Sequence, residues 1–511
     1  MEAYNIIEEA GQFSLSKEKF ESLVRRMKSE EVSQMDHSAL EKLVNQEGRE
    51  ILRQLYQDHL DLRASKEEKL EGIQGSDSKY RNHRREGERK KLRVLFGDVE
   101  VTRISYEGRN MSSLKPLDAE LNLPIRLCSY GVQRQLVDHA IQMSFGATGE
   151  QMEGMTGVHV SKRAIEKSIQ NAAQDFDSFY SYDDSGRELG EECPTDLLVL
   201  SSDGKGVVVR KSDLREETRK RAERERKQKR KKRLTPGQKK NRKRMAVVSA
   251  VYSTDRNIRT PEEVMGPREP ETSDNVVPLK PKRTRPKNKR TWASLEKDAD
   301  VMMDQIFEEG MRRDSEKKRQ WVYIADGDLH QLSRVEDFAA LYGVATLAII
   351  CDFVHVLEYL WDASHCFNKV GSDEAEQWVY ERGMKILKGD AVHVAAGIRR
   401  SVTKRGLTKK QAKAAEKCAR YLMNHKEYLR YDEYLAQGYP IASGVIEGTC
   451  RHLINDRLDL TGARWSLIGA ESVLKLRALW ASKDLNAYWE FHKSQEYERN
   501  HAAYYANASI S

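Results

Sequence analysis

Three short apolar runs that each end on aspartate constrain this chain more than any other feature. They are Asp196-Leu197-Leu198-Val199-Leu200-Ser201-Ser202-Asp203, Trp321-Val322-Tyr323-Ile324-Ala325-Asp326 and Ala345-Thr346-Leu347-Ala348-Ile349-Ile350-Cys351-Asp352. Met245–Tyr252 is a fourth run, without the acid. Such runs, too short for helices and without polar alternation, suit strands covered on both faces. Helical patterns near 292–315 and 331–342 lie among them, so the expected class is α/β. Residues 257–265 are expected to add a third, short strand to the first two.

The net charge of +8 is unevenly placed. Residues 211–244 hold 18 Lys/Arg against 5 Asp/Glu, and residues 280–290 hold 7 Lys/Arg and no acid. The other 466 residues carry a net −12. Localised basic runs suit a polyanion such as nucleic acid, and the same composition also describes a solvated charge run. Segment 211–244 reads as a long charged helix or a partly disordered one. Residues 261–290 hold six of the eleven prolines and read as an irregular basic loop.

Upstream, residues 1–90 are helical in pattern, and 91–130 read as a β-hairpin (Val94-Leu95-Phe96, then Val99, Val101 and Ile104) followed by a loop. Residues 131–190 are helical. Within them a helix from Gly149 to Met155 breaks at Thr156-Gly157, and Ser161 caps a second helix carrying Lys162, Arg163 and Lys167. This is the layout of a DNA-binding helix-turn-helix, and equally of a plain helical hairpin. The core then spans 191–352, with 353–439 a helical insertion, 440–498 C-terminal helices and 499–511 a tail. Six cysteines without a CxxC pair exclude a disulfide scaffold and the usual zinc ribbon. With no apolar run of membrane length and no signal-peptide pattern, the chain reads as soluble and intracellular, with no membrane partner.

Acids at strand ends stand where an α/β sheet presents ligands. Asp203 and Asp326 do so, and Glu447 follows in Ser443-Gly-Val-Ile-Glu447, where Ser443 is placed to cap a helix. Three carboxylates without a Ser-His or Cys-His pairing suggest a site for two Mg²⁺ ions, for which Mn²⁺ can substitute. Basic segments that hold a nucleic-acid backbone point the same way, to phosphoryl transfer.

The ordered phrases SSDGKGV, YIADGD, IICDFVHVLEYLW and SGVIEGTCRHLINDRLDLTGARWS resemble the bacterial insertion-sequence transposases of the ISKra group, related to the Mutator-like enzymes. The hairpin RVLFGDVEVTRISY, the following PLDAEL and MTGVHVSKRAIE match as well, so the resemblance runs from about 90 to 495. It implies an RNase H-like catalytic domain with a large all-helical insertion, behind a mainly helical N-terminal region. It places the Asp-Asp-Glu triad on Asp203, Asp326 and Glu447, at spacings of 123 and 121 residues. It implies cleavage at transposon ends and strand transfer. The implied partners are the double-stranded terminal inverted repeats, target DNA and further copies of the chain, in the cytoplasm at the bacterial nucleoid. Relatives often carry cysteines after the hairpin, where this chain has Glu107-Gly108-Arg109-Asn110.

Other residues keep two readings each. Asp352 competes with Asp326 as a metal ligand, and the motif Asp352-x-x-His355 follows the second aspartate in the resembled enzymes. His355 contacts DNA or belongs to a packing network. Arg451 meets phosphate or pairs with an acid of the site. Asp456 and Arg457 form a surface pair. Arg464 and Trp465 contact DNA, the indole by stacking on a base, unless Trp465 is buried in helix packing. The rival functions are a non-catalytic DNA-binding regulator and an RNase H-like nuclease without strand transfer.

Overall fold

The computed structural model describes residues 13–181, 193, 195–228, 242–266, 284–460 and 462–505. The chain divides into two compact units, Met1–Arg187 with Leu485–Ser511, and Glu188–Asp484.

In the first unit, helices α1 (Ser14–Met27) and α2 (His37–Ser65) precede an antiparallel hairpin, β1 (His83–Val94) and β2 (Gly97–Glu107). Leu60 of α2 packs into the hairpin core with Leu92, Val94, Val99, Val101 and Leu117. The hairpin starts at His83, eight residues before the boundary read from sequence. His83–Lys91 is almost entirely charged and gives no apolar alternation, so its partner strand supplies the buried side chains Ile104 and Tyr106.

Next come α3 (Tyr130–Ala140), α4 (Phe145–Thr156) and α5 (Lys162–Ala172). Ser144 caps α4, so that helix begins before Gly149, and it ends on Gly157 in the left-handed conformation (φ 68°). Ser161 accepts from the Ala164 amide to start α5, which buries Ile165, Ser168, Ile169 and Ala172 along one stripe. A Cβ at Gly149 would stand 3.1 Å from the Val160 carbonyl, so glycine there allows the turn to pack closely. The helix Leu485–Asn500 belongs to this first unit rather than to the catalytic helices expected for 440–498. Its Tyr488 hydroxyl donates to the Ala172 carbonyl (2.5 Å), and His492 meets Asp175 (2.7 Å).

The second unit is mixed α/β. Its sheet comprises β3 (Leu197–Val208), β4 (Lys243–Thr254), β5 (Lys287–Ser294), β6 (Trp321–Ala325) and β7 (Ala348–Cys351), in the order β5-β4-β3-β6-β7. The first three are antiparallel, while β6 runs parallel to β3 and β7 parallel to β6. Leu197–Leu200 and Trp321–Ala325 are buried throughout, which is why both read as unbroken apolar runs. Helices α6 (Ala299–Arg313), α7 (Leu329–Leu341), α8 (Phe353–Ser364), α9 (Asp373–Leu387), α10 (Ala391–Lys404), α11 (Lys413–Asn424), α12 (Gly444–Cys450) and α13 (Leu467–Ser482) complete the principal elements. α6, α12 and α13 pack on the sheet.

Two expectations are corrected here. The third strand is β5, not 257–265. Residues 255–260 form no strand, and Pro261–Met265 is a short helix started by a capping box between Thr260 and Glu263. The proline-rich stretch is therefore partly ordered: it opens on this helix, closes within β5, and its residues 267–283 lie outside the described ones. β5 escaped notice because Lys287-Asn288-Lys289-Arg290 is polar. Arg290 is nevertheless buried, paired with Glu309 of α6 at 2.5 Å and stacked 4.5 Å over the Trp292 ring. Of the basic segment 211–244, Glu216–Gln228 is helical and Lys243-Arg244 open β4, while 229–241 lie outside the described residues.

Glu471 of α13 is buried and accepts from the Ser294 hydroxyl (2.6 Å) and the Leu295 amide (2.8 Å). Burial pushes its carboxyl up, against those two bonds. A carboxyl raised in the folded chain favours folding at low pH and loses that contribution as pH rises through the raised value. Glu471→Gln is therefore expected to gain thermal stability relative to the wild type between about pH 4 and pH 8. A difference in melting temperature that stays flat across that range would contradict it.

Candidate metal centre

The site is built where the parallel part of the sheet ends. Ser201 is in register with Ile324, and Ala325 with Cys351. Continuing those registers sets Asp203, Asp326 and Asp352 level on three neighbouring chains, about 4.8 Å apart from strand to strand. Contrary to the expectation from sequence, Asp203 does not end its strand. β3 continues to Val208 because β4 pairs with it along its whole length, so only the parallel pairing stops near Asp203.

Asp203 is half-buried. Its Oδ1 accepts the Gly204 amide (2.6 Å) and its Oδ2 accepts the Cys450 thiol (3.3 Å). Burial first, then Asp203 and Glu447, push that thiol up, so it stays a neutral donor rather than a competing thiolate. Below, the Ser202 and Tyr323 hydroxyls meet at 2.7 Å, and Gln331 donates to the Ser202 carbonyl and hydroxyl at 2.9 Å. Asp326 is exposed, and its Oδ1 accepts the Asp328 amide (3.0 Å). Asp328 in turn caps α7.

Asp352 is fully buried. It caps α8 through the Val354 amide (2.8 Å) and accepts from both the Ser443 amide (3.2 Å) and the Ser443 hydroxyl. The expected cap by Ser443 is thus not made. Its hydroxyl reaches back to the sheet instead and ties the start of α12 to the end of β7.

Glu447, one turn into α12, is exposed. A ligand oxygen of Glu447, one of Asp352 and a ring nitrogen of His355 lie within 4.8 Å of one another. His355 Nδ1 is engaged by Glu358 (3.0 Å), which leaves Nε2 for that group. Burial works against a charged imidazole, but Glu358, Asp352 and Asp326 outweigh it and the net shift is upward. The converging trio is therefore Glu447 with the Asp-x-x-His motif, and Asp203 and Asp326 stand outside it. Asp203 meets α12 through Cys450, one turn beyond Glu447. Cys450 and the bridging role of Ser443 carry no sequence signal, since neither lies at a strand end or in a ligand spacing.

The donor set suits a hard cation. Asp203, half-buried, and Asp326, exposed, offer carboxylate oxygens at neighbouring positions, and burial pushes the thiols of Cys450 and Cys351 up, so both stay neutral. A second buried trio, Asp175, His492 and Glu496, lies in the first unit. Arg499 pairs with both of its acids, so it reads as an ion-pair network.

Lys162, Arg163 and Lys167 are exposed on α5. Arg464 is exposed, but Trp465 is buried, donates to the Leu458 carbonyl (3.0 Å) and carries the Arg457 guanidinium 4.7 Å above its ring. Its indole is a packing element and is not presented for base stacking. Arg457, expected in a surface pair with Asp456, is buried on that ring. Asp456 instead meets His452 (3.1 Å) and Arg451 (3.9 Å), so exposed Arg451 pairs away from the three carboxylates.

Among the described residues, no helix is long and apolar enough to cross a membrane. No family model matches the chain, and no curated protein matches it significantly.

Asp352→Ala is expected to destabilise the protein by about 1–3 kcal/mol, since it strands the Ser443 and Val354 donors. Asp326→Asn and Glu447→Gln, both at exposed carboxylates, should stay within about 0.5 kcal/mol. Thermal and urea unfolding without divalent metal checks this, and equal losses in all three variants would contradict the separation of a buried latch from open ligands.

Proposed function

We propose that this chain is a DNA transposase of the insertion-sequence type it resembles, cleaving at transposon ends and transferring strands with an Asp-Asp-Glu centre on an RNase H-like core. The observation that carries this reading is the parallel pairing of β3 with β6, whose register continued by two residues brings Asp203 level with Asp326, with the helix of Glu447 tied to Asp203 through Cys450 and to Asp352 through Ser443. An antiparallel three-strand meander extended by two parallel strands supports the core assignment.

Asp203 and Asp326 are the residues placed to hold Mg²⁺, with Glu447 completing the set. Bound there, the metal would lower the pKa of an attacking water or hydroxyl and offset charge on the leaving oxygen. Asp203 is held for this by the Gly204 amide and Cys450, and Asp326 by the turn it opens. Glu447 stands with Asp352 and His355 in this structure, exposed on α12, and joining the aspartates would require its side chain to turn toward them. Lys162, Arg163 and Lys167 on α5 present the cationic face of a helix-turn-helix to the terminal repeats, and Arg451 and Arg464 add exposed charge for the DNA backbone. Two ends must be paired, so the working form is an oligomer at the bacterial nucleoid.

The test is strand transfer with pre-cleaved end DNA in Mg²⁺ or Mn²⁺. Wild type should join ends to target, and Asp326→Asn should lose about 100- to 1000-fold. Equal joining by both would remove Asp326 from the centre. Cleavage without joining would indicate a nuclease, and end binding without chemistry a regulator.

Replacing Lys162, Arg163 and Lys167 by Ala should flatten the slope of log K against log salt by about 0.9 for each DNA phosphate that these side chains neutralise. An unchanged slope would place the DNA-binding face elsewhere.

A further inference from the structure

Among the described residues, the exposed Asp326 carboxylate accepts from the backbone amide two residues on, so its direction depends on how the Asp326-Gly327 turn is held. That turn has left the sheet, and its carbonyls have no strand partner. Two side chains from the helical segment between the second aspartate and the glutamate reach these carbonyls. The Tyr421 hydroxyl of α11 donates to the Asp326 carbonyl (3.3 Å), and His425 Nε2 meets the Gly327 carbonyl (2.8 Å).

The two side chains are themselves fixed. Tyr421 is sandwiched, with Tyr359 of α8 at 4.2 Å on one side and His425 at 4.1 Å on the other. His425 is buried at the end of α11, with Nδ1 2.7 Å from the Tyr421 carbonyl. Lys417 lies 4.6 Å over the Tyr359 ring. Gly327 adopts φ +92°, and a Cβ there would run into the Tyr421 hydroxyl, so the turn and the stack fit only with glycine between them. The neighbouring strand end is treated alike, for Tyr431 donates to the Cys351 carbonyl (2.7 Å), one residue before Asp352.

We infer that Tyr421 and His425 are positioning residues for Asp326, and that the helical insertion aims the second aspartate of the metal centre. This rests on the proposed function above. Neither residue is placed to touch metal or DNA. They act through the backbone that carries the ligand.

The experiment uses the full chain and Mn²⁺ as the probe. Mn²⁺ affinity is measured by electron paramagnetic resonance, and the Mg²⁺ needed for half-maximal strand transfer is measured alongside. His425→Ala should weaken both about tenfold, the scale on which an outer partner of a metal ligand acts, while His425→Gln, whose amide can still donate to Gly327, should recover most of it. Tyr421→Phe keeps the ring stack and loses only the hydroxyl, so it tests the same idea if His425→Ala folds poorly. It should weaken Mn²⁺ binding at an unchanged melting temperature. Variants that bind Mn²⁺ like the wild type would overturn the inference.

Amide exchange at Asp328, whose N–H donates to the Asp326 carboxylate, separates the two claims. Faster exchange in His425→Ala supports the clamp even if wild type binds no Mn²⁺, which would instead defeat the metal centre. Equal exchange in the two proteins overturns the clamp whatever the metal does.

Discussion

The parallel pairing of Leu198–Ser201 with Trp321–Ile324 is the constraint on which the second unit depends. It joins segments more than a hundred residues apart, and no local turn sets its register. Burial sets it instead: a slip of one residue would turn each side chain of β6 to the other face of the sheet, removing Trp321 and Tyr323 from the sites that enclose them. The same register puts Asp203 beside Asp326, so the pairing that gives the unit its core also gives the site its first two carboxylates. Tyr323 joins the two roles, since its ring is core and its hydroxyl holds Ser202, the residue before Asp203.

Around that pair the remaining parts are latched rather than stacked. Asp352 holds Ser443, Cys450 holds Asp203, and Tyr421 with His425 holds the turn after Asp326. Each latch joins the sheet, or a turn leaving it, to a helical segment far away in sequence. A buried polar group costs free energy unless it is paired, so these bonds specify the arrangement strongly even where their net contribution is small. Of the carboxylates proposed as ligands, Asp326 and Glu447 are exposed and Asp203 is half-buried, whereas the fully buried Asp352 is the one spent on structure.

Much of this was legible in the residues. The first half of β3 and all of β6 are buried throughout, β7 is buried at Ile350 and Cys351, and all three read as continuous apolar runs. Gly157 and Ser161 mark the helix end and start around the turn, because a left-handed cap and an N-cap each demand particular side chains. β5 and the first half of β1 were not legible. In β5 the inward Arg290 is paired with distant Glu309, and in β1 His83–Lys91 is charged and mostly exposed, so neither stretch shows an apolar periodicity. The return of Leu485–Asn500 to the first unit was hidden as well, since Tyr488 finds Ala172 only in the folded chain. At the site, the aspartates were found by their place after apolar runs. The trio of Asp352, His355 and Glu447 was not assembled from sequence, because a helix turned by an unforeseen Ser443 bond decides which acids Glu447 faces. Trp465 was readable only as an aromatic, and its burial under Arg457 depends on a loop folding back onto β3.

The central claim is that Asp203 and Asp326 together hold the divalent metal, with Glu447 able to join them. The most direct measurement is the anomalous scattering of Mn²⁺ in crystals of the full chain. The account predicts a peak bound by the Asp203 and Asp326 carboxylates and absent in Asp326→Asn. Manganese confined to Asp352, His355 and Glu447, with both aspartates bare, would contradict it.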